Sequence, residues 1–128
     1  MADPAGPKVL LVEDDAALGE MYTLKFQQAG FQLYVATDGA AGLELAKRHG
    51  PDIILLDVIL PGMDGFAVLK ELKADPATKT VPVILLTNLG QDADQQKGKE
   101  LGAVDYLVKA NFTPGEVVEK IRALLPQQ

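Results

Sequence analysis

Five short apolar runs divide this chain, and they restrict its possible folds more than any other feature. The runs are Val9–Val12, Leu33–Ala36, Ile53–Leu56, Val83–Leu86 and Tyr106–Val108. The third and fourth runs are aliphatic throughout, which is typical of strands that are covered on both faces of a parallel sheet. Segments with helical spacing of apolar residues lie between the runs, so the chain alternates strand and helix.

The helical segments carry recognisable boundaries. The first follows Asp14-Asp15 and is stopped by Gly30, and the second extends from about Asp38 to Arg48 before Gly50-Pro51. The third begins near Gly65 and stops before Asp75-Pro76, and the last begins at Thr113 and has its apolar face at Val117–Leu125. The last has the clearest beginning, because Thr113 and Glu116 are spaced as a capping box and Pro114 suits the first helical position. The alternation predicts one α/β domain, a (βα)5 doubly wound five-stranded parallel sheet.

The fourth helix, between Asp92 and Gly102, is the weakest of the predicted elements. Only Ala93 and Leu101 are apolar there, and Gly98 lies in mid-segment. Glycine at such a position costs about 1 kcal/mol relative to alanine. The segment favours a poorly buried surface helix; the alternative is a functional element of low stability that can shift.

Ionisable and hydroxyl side chains come directly after four of the runs. Glu13 and Asp14 follow the first run, Asp57 the third, Thr87 the fourth and Lys109 the fifth. In a doubly wound sheet these positions meet at one edge, where ligands bind. Neighbouring carboxylates repel one another unless they share a cation. The chain has no cysteine and one histidine, and Mg²⁺ suits such an oxygen-rich ligand set.

A phosphoryl group fits the same cluster. A metal ion and an ammonium neutralise phosphoryl oxygens, a hydroxyl hydrogen-bonds to one of them, and a carboxylate can accept the group. A single acid at one strand end would more simply cap the next helix, as Asp14 or Asp15 could. The coincidence of complementary groups at four strand ends favours the phosphoryl interpretation.

Longer pieces of the sequence carry a family resemblance. They are Leu10-Leu-Val-Glu-Asp-Asp15, Ile54-Leu-Leu-Asp57, Leu60-Pro-Gly-Met-Asp-Gly65, Thr87 and Leu101-Gly-Ala-Val-Asp-Tyr-Leu-Val-Lys109. In this order and spacing the chain resembles the receiver domain of two-component response regulators, of the chemotaxis-regulator kind, from about Lys8 to Leu125. The resemblance implies the flavodoxin-like strand order 2-1-3-4-5.

The resemblance also implies a role for each site residue. Asp57 is the implied phosphoacceptor. The implied Mg²⁺ ligands are Glu13, Asp14, Asp57 and the backbone carbonyl of Ile59. The implied phosphoryl-contacting or switch residues are Thr87, Lys109 and Tyr106. The implied phosphodonor is a sensor histidine kinase or a phosphotransfer protein. The implied output is a downstream protein partner that binds the face of the fourth helix, fifth strand and fifth helix. Such a domain is not an enzyme, since it promotes only its own phosphorylation and dephosphorylation.

Three positions near the site are distinctive in this chain. The family usually has a cis proline after the lysine, whereas Ala110 follows Lys109 here. Because Lys109 must still point at the phosphoryl site, we expect the Lys109–Ala110 bond to be cis despite a cost of about 2.5–4 kcal/mol. Ile59 and Leu89 match the positions that flank the hydrolytic water. Neither side chain can orient a water molecule, so slow dephosphorylation is predicted.

Charge and hydropathy restrict the partners and the location. The formal net charge is −6, which disfavours direct binding to nucleic acid. No apolar run approaches the roughly 20 residues that span a bilayer, and no targeting segment is recognisable, so a cytoplasmic protein without membrane contact is predicted. The expected boundaries are a disordered lead at residues 1–7, the receiver domain at residues 8–125 and a tail at residues 126–128.

Several alternatives stay open at this point. The chain is expected to be a stand-alone regulator, but a receiver fragment of a larger regulator or hybrid kinase fits the sequence too. A constitutive binding module would require an incomplete acid set, and the set is complete. A phosphohydrolase of the haloacid dehalogenase kind would need a second acid two residues after its nucleophile, where Ile59 follows Asp57 and Val58.

Overall fold

The fold is seen in a computed structural model, which describes residues 6–125. Five strands and five α-helices alternate along this part of the chain. The strands are β1 (Lys8–Val12), β2 (Gln32–Ala36), β3 (Ile53–Leu56), β4 (Val83–Thr87) and β5 (Asp105–Val108). The helices are α1 (Ala16–Gln28), α2 (Gly39–His49), α3 (Gly65–Ala74), α4 (Asp92–Glu100) and α5 (Pro114–Leu124), and a short 3₁₀ helix, Lys109–Asn111, follows β5.

All five strands are parallel and lie in the order β2-β1-β3-β4-β5. The predicted α/β fold and strand order are therefore confirmed. The register pairs Val12 with Leu56, Leu56 with Leu85, and Leu85 with Tyr106. Strands β1 and β3 consequently end at the same level, and the residues that follow them, Glu13 and Asp57, lie side by side.

Helices cover both faces of the sheet, as the aliphatic runs require. Tyr22 of α1 and Val117 and Ile121 of α5 belong to the apolar cluster on one face. Phe66 and Leu69 of α3 belong to the cluster on the other face. Strands β3 and β4 are buried along their whole length between these two layers. The central strands thus form the most enclosed part of the structure, and their carboxyl ends are correspondingly well fixed.

Side-chain caps determine where most of the helices begin. Asp15, Asp38 and Asp64 each accept a hydrogen bond from an amide in the first turn of α1, α2 and α3. The predicted capping box of α5 is present, because the Thr113 hydroxyl oxygen accepts from the Glu116 amide and the Glu116 carboxylate accepts from the Thr113 amide. Since Asp15 is used as a cap, Asp14 beside it is left to face the edge of the sheet.

The prediction of a cis Lys109–Ala110 bond is wrong. Every peptide bond within residues 6–125 is trans. Alanine lacks the proline ring that makes the two isomers nearly equal in energy, so the trans form is favoured by about 2.5–4 kcal/mol. The 3₁₀ helix that begins at Lys109 turns the chain immediately after β5, and Lys109 reaches the site from this trans backbone.

The predicted lead and tail lie mostly outside the part of the chain that the structure describes. Residues 1–5 and 126–128 lie outside the described residues, so the expected lead and tail stay predictions. The carbonyl of Pro7, within the expected lead, accepts a hydrogen bond of 2.8 Å from the Gln32 amide at the edge of the sheet. None of the helices within residues 6–125 is long and apolar enough to cross a membrane.

Gly65 allows α3 to begin directly against the end of β3. Its amide donates to the Val58 carbonyl at 2.8 Å. A Cβ atom at this position would lie 2.1 Å from the backbone carbonyl oxygen of Asp57 and 2.6 Å from the Cα atom of Val58. Both obstacles are backbone atoms, so they cannot rotate away. Only glycine lets the helix approach the strand end that carries Asp57.

We therefore expect Gly65→Ala to lower the free energy of unfolding by roughly 1–3 kcal/mol or more, as overpacking does. Gly19→Ala is the matched control, because a Cβ there would meet only the Val35 side chain, at 3.8 Å. Alanine should be neutral or stabilising at that helical position. Urea-induced unfolding of both variants gives the comparison, and equal stability of the two would contradict the steric argument.

Candidate functional site

Three carboxylates converge where β1 and β3 end. One oxygen atom from each of Glu13, Asp14 and Asp57 lies within 4.8 Å of the other two. Glu13 and Asp57 are only 2% and 5% exposed, whereas Asp14 is exposed. The cluster therefore has a buried floor formed by two acids and an open side that carries the third.

The ammonium of Lys109 is the cation that faces the two buried acids. Its Nζ donates to Asp57 Oδ2 at 2.6 Å and also to Glu13 Oε1. The side chain is only 11% exposed, so both ion pairs are largely shielded from water. Since β5 is separated from β3 by β4, this one side chain joins the ends of strands that do not pair with each other.

Burial and pairing act in opposite directions on the charges of the site. Burial raises the pKa of Glu13, although hydrogen bonds from Lys109 and from the Asp15 amide oppose the shift. Burial would lower the pKa of Lys109, but its hydrogen bonds to Asp57 and Glu13 outweigh that effect and raise the pKa instead. The lysine therefore keeps its proton, and its positive charge is a permanent part of the site.

Backbone amides hold the two buried carboxylates in place. The amide of Ile59 donates to Asp57 Oδ1 at 3.0 Å, and the amide of Asp15 donates to Glu13 Oε2 at 3.2 Å. Each carboxylate thus has one oxygen on a backbone amide and the other on Lys109. These bonds fix the direction in which the Asp57 oxygens point.

The residues present fit a hard divalent cation. Three carboxylates face a single ammonium, which leaves an excess of negative charge at the cluster. The donor atoms are carboxylate oxygens, the ligands that Mg²⁺ prefers, and the exposed Asp14 provides the open side that a partly hydrated ion needs. Glu13, Asp14 and Asp57 are the side chains that would hold the ion.

Leu89 connects Thr87 to Tyr106 through its backbone. Its amide donates to the Thr87 hydroxyl oxygen at 3.4 Å, and its carbonyl accepts a hydrogen bond from the Tyr106 hydroxyl. Burial, with the carboxylates of Asp94 and Asp57, raises the pKa of Tyr106 to about 12, so the phenol remains a donor at neutral pH. Thr87 and Tyr106 are therefore both hydrogen-bonded to the backbone of the same residue, on its two sides.

The structure places the predicted site residues in two groups. Glu13, Asp14, Asp57 and Lys109 come together at the acidic cluster, and Thr87 and Tyr106 come together at Leu89. Ile59 is 57% exposed and contributes its amide to Asp57, while the role of its carbonyl stays a prediction. Sequence reasoning missed the connecting role of Leu89, because a backbone contact leaves no mark in the identity of the side chain.

A doubly wound sheet with three acids and a lysine at its carboxyl edge fits the class of signalling receiver domains. The profile of the response regulator receiver domain matches residues 9–122, and the chain belongs to that family. The transcriptional regulator RpaA of Synechocystis is 40% identical over 119 residues, which are 93% of this chain and 49% of that protein. The phosphate regulon regulator PhoB of Escherichia coli is 39% identical over 118 residues, 92% of this chain and 51% of that protein.

The structural comparison supports the same assignment. Chemotaxis protein CheY4 of Vibrio cholerae superimposes with a TM-score of 0.87 at 32% sequence identity, covering 94% of this chain and all of that one. The chain spans about half the length of the two curated relatives, RpaA and PhoB. Receiver domains bind Mg²⁺ at an acidic pocket, and the cluster of this chain lies at the corresponding edge of the sheet.

We expect Mg²⁺ to raise the thermal unfolding midpoint of this protein, because an ion that binds only the folded state stabilises it by mass action. Asp14→Asn should reduce that rise, since it removes the exposed carboxylate of the cluster. Glu20→Gln removes the same charge from an exposed position on α1 and is the control. An equal Mg²⁺-dependent rise in both variants would exclude Asp14 as a ligand.

Proposed function

We propose that this domain accepts a phosphoryl group on Asp57 from a phosphohistidine of a sensor histidine kinase or phosphotransfer protein. The observation that carries the proposal is the environment of Asp57, a nearly buried carboxylate with Lys109 on Oδ2 and two further acids beside it. A nucleophile held next to fixed positive charge is the arrangement that phosphoryl transfer requires.

The transfer forms one bond and breaks another. An oxygen of Asp57 attacks phosphorus in line, the bond between phosphorus and the donor imidazole nitrogen breaks, and its electron pair returns to the imidazole. Lys109 stabilises the charge on the phosphoryl oxygens, and Mg²⁺, when bound, supplies a second positive charge there. Attack by water on phosphorus later breaks the bond to Asp57 and releases inorganic phosphate. The domain consumes no other metabolite in this cycle.

The proposed output is a change in the face formed by α4, β5 and α5. A phosphoryl oxygen on Asp57 would accept a hydrogen bond from the Thr87 hydroxyl and draw that side chain away from the Leu89 amide, whose hydrogen bond to Thr87 is long at 3.4 Å. Because Leu89 also holds Tyr106, a change at Thr87 would reach β5. The phosphoryl group needs only to bind one of two existing conformations more tightly than the other.

The partner, the location and the chain organisation belong to this proposal. The downstream partner would be a protein that binds the α4–β5–α5 face, in the cytoplasm, where histidine kinases present their phosphoryl groups. The net charge of −6 supports the absence of direct nucleic-acid contact by these residues. RpaA is DNA-binding by name, and about half of it lies beyond the matched region, so a stand-alone arrangement of this chain stays a prediction.

We expect Asp57→Asn to abolish phosphorylation, because an amide oxygen is a poor nucleophile and leaves no anionic acceptor. Acetyl phosphate and Mg²⁺ are added, and mass spectrometry measures the increment of one phosphoryl group. Asp64→Asn is the control, since asparagine preserves the cap of α3 while removing a nearby acid. A full increment on Asp57→Asn would move the acceptor to another residue.

The two side chains predicted to tune dephosphorylation differ in their surroundings. Ile59 is largely exposed beside Asp57, whereas Leu89 is half-buried and packs against the apolar cluster that contains Phe66. Neither can donate or accept a hydrogen bond, so neither can orient the attacking water. Water positioning contributes to the rate of hydrolysis, and its absence supports a long-lived aspartyl phosphate.

The Ile59→Asn, Leu89→Glu double variant should release phosphate several-fold faster than the wild type, because polar groups can then orient the water. Val104→Glu is the control, as it adds one charge at an exposed apolar position on the approach to β5. Release is followed after the phosphodonor has been removed. If the double variant released phosphate no faster than the control, these side chains would not set the lifetime.

A further inference from the structure

Helix α4 is held to the sheet by very few side-chain contacts. Gly98 is the only buried residue among the nine of α4. Gln91, which precedes the helix, makes no side-chain cap. Within the described residues, two side-chain contacts reach beyond the helix: a cation–π interaction, in which Lys97 lies 4.6 Å from the centre of the Phe66 ring, and a hydrogen bond of 3.1 Å from Gln95 Nε2 to the Gly90 carbonyl. The position of α4 therefore depends mainly on what its backbone meets at Gly98.

Gly98 brings the backbone of α4 into direct contact with β4 and β5. A Cβ atom there would lie 2.6 Å from Leu85 Cδ1 and 3.2 Å from Tyr106 Cδ2. Leu85 is fully buried, which limits its freedom to move aside. The Gly98 carbonyl also accepts the Ala103 amide at 3.0 Å, where the chain turns from α4 towards β5. The absence of a side chain is thus what seats the helix.

The Tyr106 ring lies at the junction of two contacts. Its edge touches Gly98, and its hydroxyl donates to the Leu89 carbonyl, while the Leu89 amide donates to Thr87. A displacement of the ring changes the surface on which α4 rests. A continuous series of contacts therefore runs from Thr87 through Leu89 and Tyr106 to Gly98.

We propose that Gly98 is the contact through which α4 follows the position of Tyr106, so that the seating of α4 reports the state of Thr87. This inference rests on the proposed function, in which phosphorylation of Asp57 acts on Thr87. A side chain at position 98 would hold α4 away from Tyr106, so the helix would no longer follow changes at Thr87. The glycine that weakens α4 as an isolated helix is the feature that couples it to the site.

Hydrogen–deuterium exchange of the α4 amides tests the contact, because helix propensity and steric coupling predict opposite signs. Propensity alone would make Gly98→Ala slow the exchange. We expect exchange instead to become roughly fivefold faster or more, as overpacking lifts the helix. Gly115→Ala is the matched control, since a Cβ there meets only Thr113 Oγ1, at 3.9 Å. The β3 amides provide the internal reference, and slower exchange in α4 of Gly98→Ala would overturn the proposal.

The Tyr106→Ala variant identifies the coupled partner. Alone, it should speed exchange in α4 by removing the surface beneath Gly98, and Gly98→Ala should have a smaller effect in that background. If Gly98→Ala speeds α4 exchange equally with and without Tyr106→Ala, the contact is with Leu85 and the link to Tyr106 is overturned. If Gly98→Ala does not fold, faster α4 exchange in Tyr106→Ala alone supports the contact and unchanged exchange overturns it.

Phosphorylation provides a test of the coupling that is separable from the proposed function. Acetyl phosphate and Mg²⁺ should change α4 exchange in the wild type, and Gly98→Ala should reduce that change. An equal change in both proteins would overturn the coupling. If mass spectrometry finds no phosphoryl group on Asp57, the proposed function fails, while the exchange of the unphosphorylated variants still decides whether Gly98 seats α4 on Tyr106.

Discussion

The ammonium of Lys109 between Glu13 and Asp57 is the interaction on which the site depends. It connects the end of β5 to the ends of β1 and β3, across β4, and pairs with two carboxylates that the fold has almost removed from water. Loss of one partner from a buried pair costs about 3–5 kcal/mol, because the other charge stays behind uncompensated. The same ammonium would stabilise a phosphoryl group, so the group that keeps the resting site folded is also the one that the proposed chemistry needs.

The elements around this interaction differ in how firmly they are held. Strands β3 and β4 are enclosed by helices on both faces, and Gly65 lets α3 begin against the carbonyl of Asp57, so the proposed acceptor has little freedom. Helix α4 has one buried residue and belongs to the low-stability end of the molecule. A phosphoryl group on a fixed acceptor can shift a weakly held helix at small energetic cost. With a mobile acceptor and a firmly held helix, the free energy of phosphoryl binding would instead be used to order the site.

Side-chain patterns predicted most of the fold and the acidic cluster, because burial and capping depend on side-chain chemistry. The run Ile53–Leu56 coincides with β3, and the spacing of Thr113 and Glu116 predicted a capping box that is present. The failures concern the backbone. The Lys109–Ala110 bond is trans, and the connection through the amide and carbonyl of Leu89 would be possible with almost any residue at that position. Gly98 lowered the expected stability of α4, while its value as a close contact becomes visible only when Leu85 and Tyr106 are placed beneath it.

The seating of α4 on a single glycine has a consequence for how such a domain can diverge. Substitutions at exposed positions usually change stability by no more than about 0.5 kcal/mol, and every residue of α4 other than Gly98 lies outside the core. The exposed residues of this helix can therefore be substituted at little cost in stability, while the acidic cluster, Lys109 and the sheet stay unchanged. If α4 binds a partner as proposed, new specificities can arise on it without passing through unfolded intermediates, and duplicated copies of one gene could acquire separate partners while retaining the same acidic site.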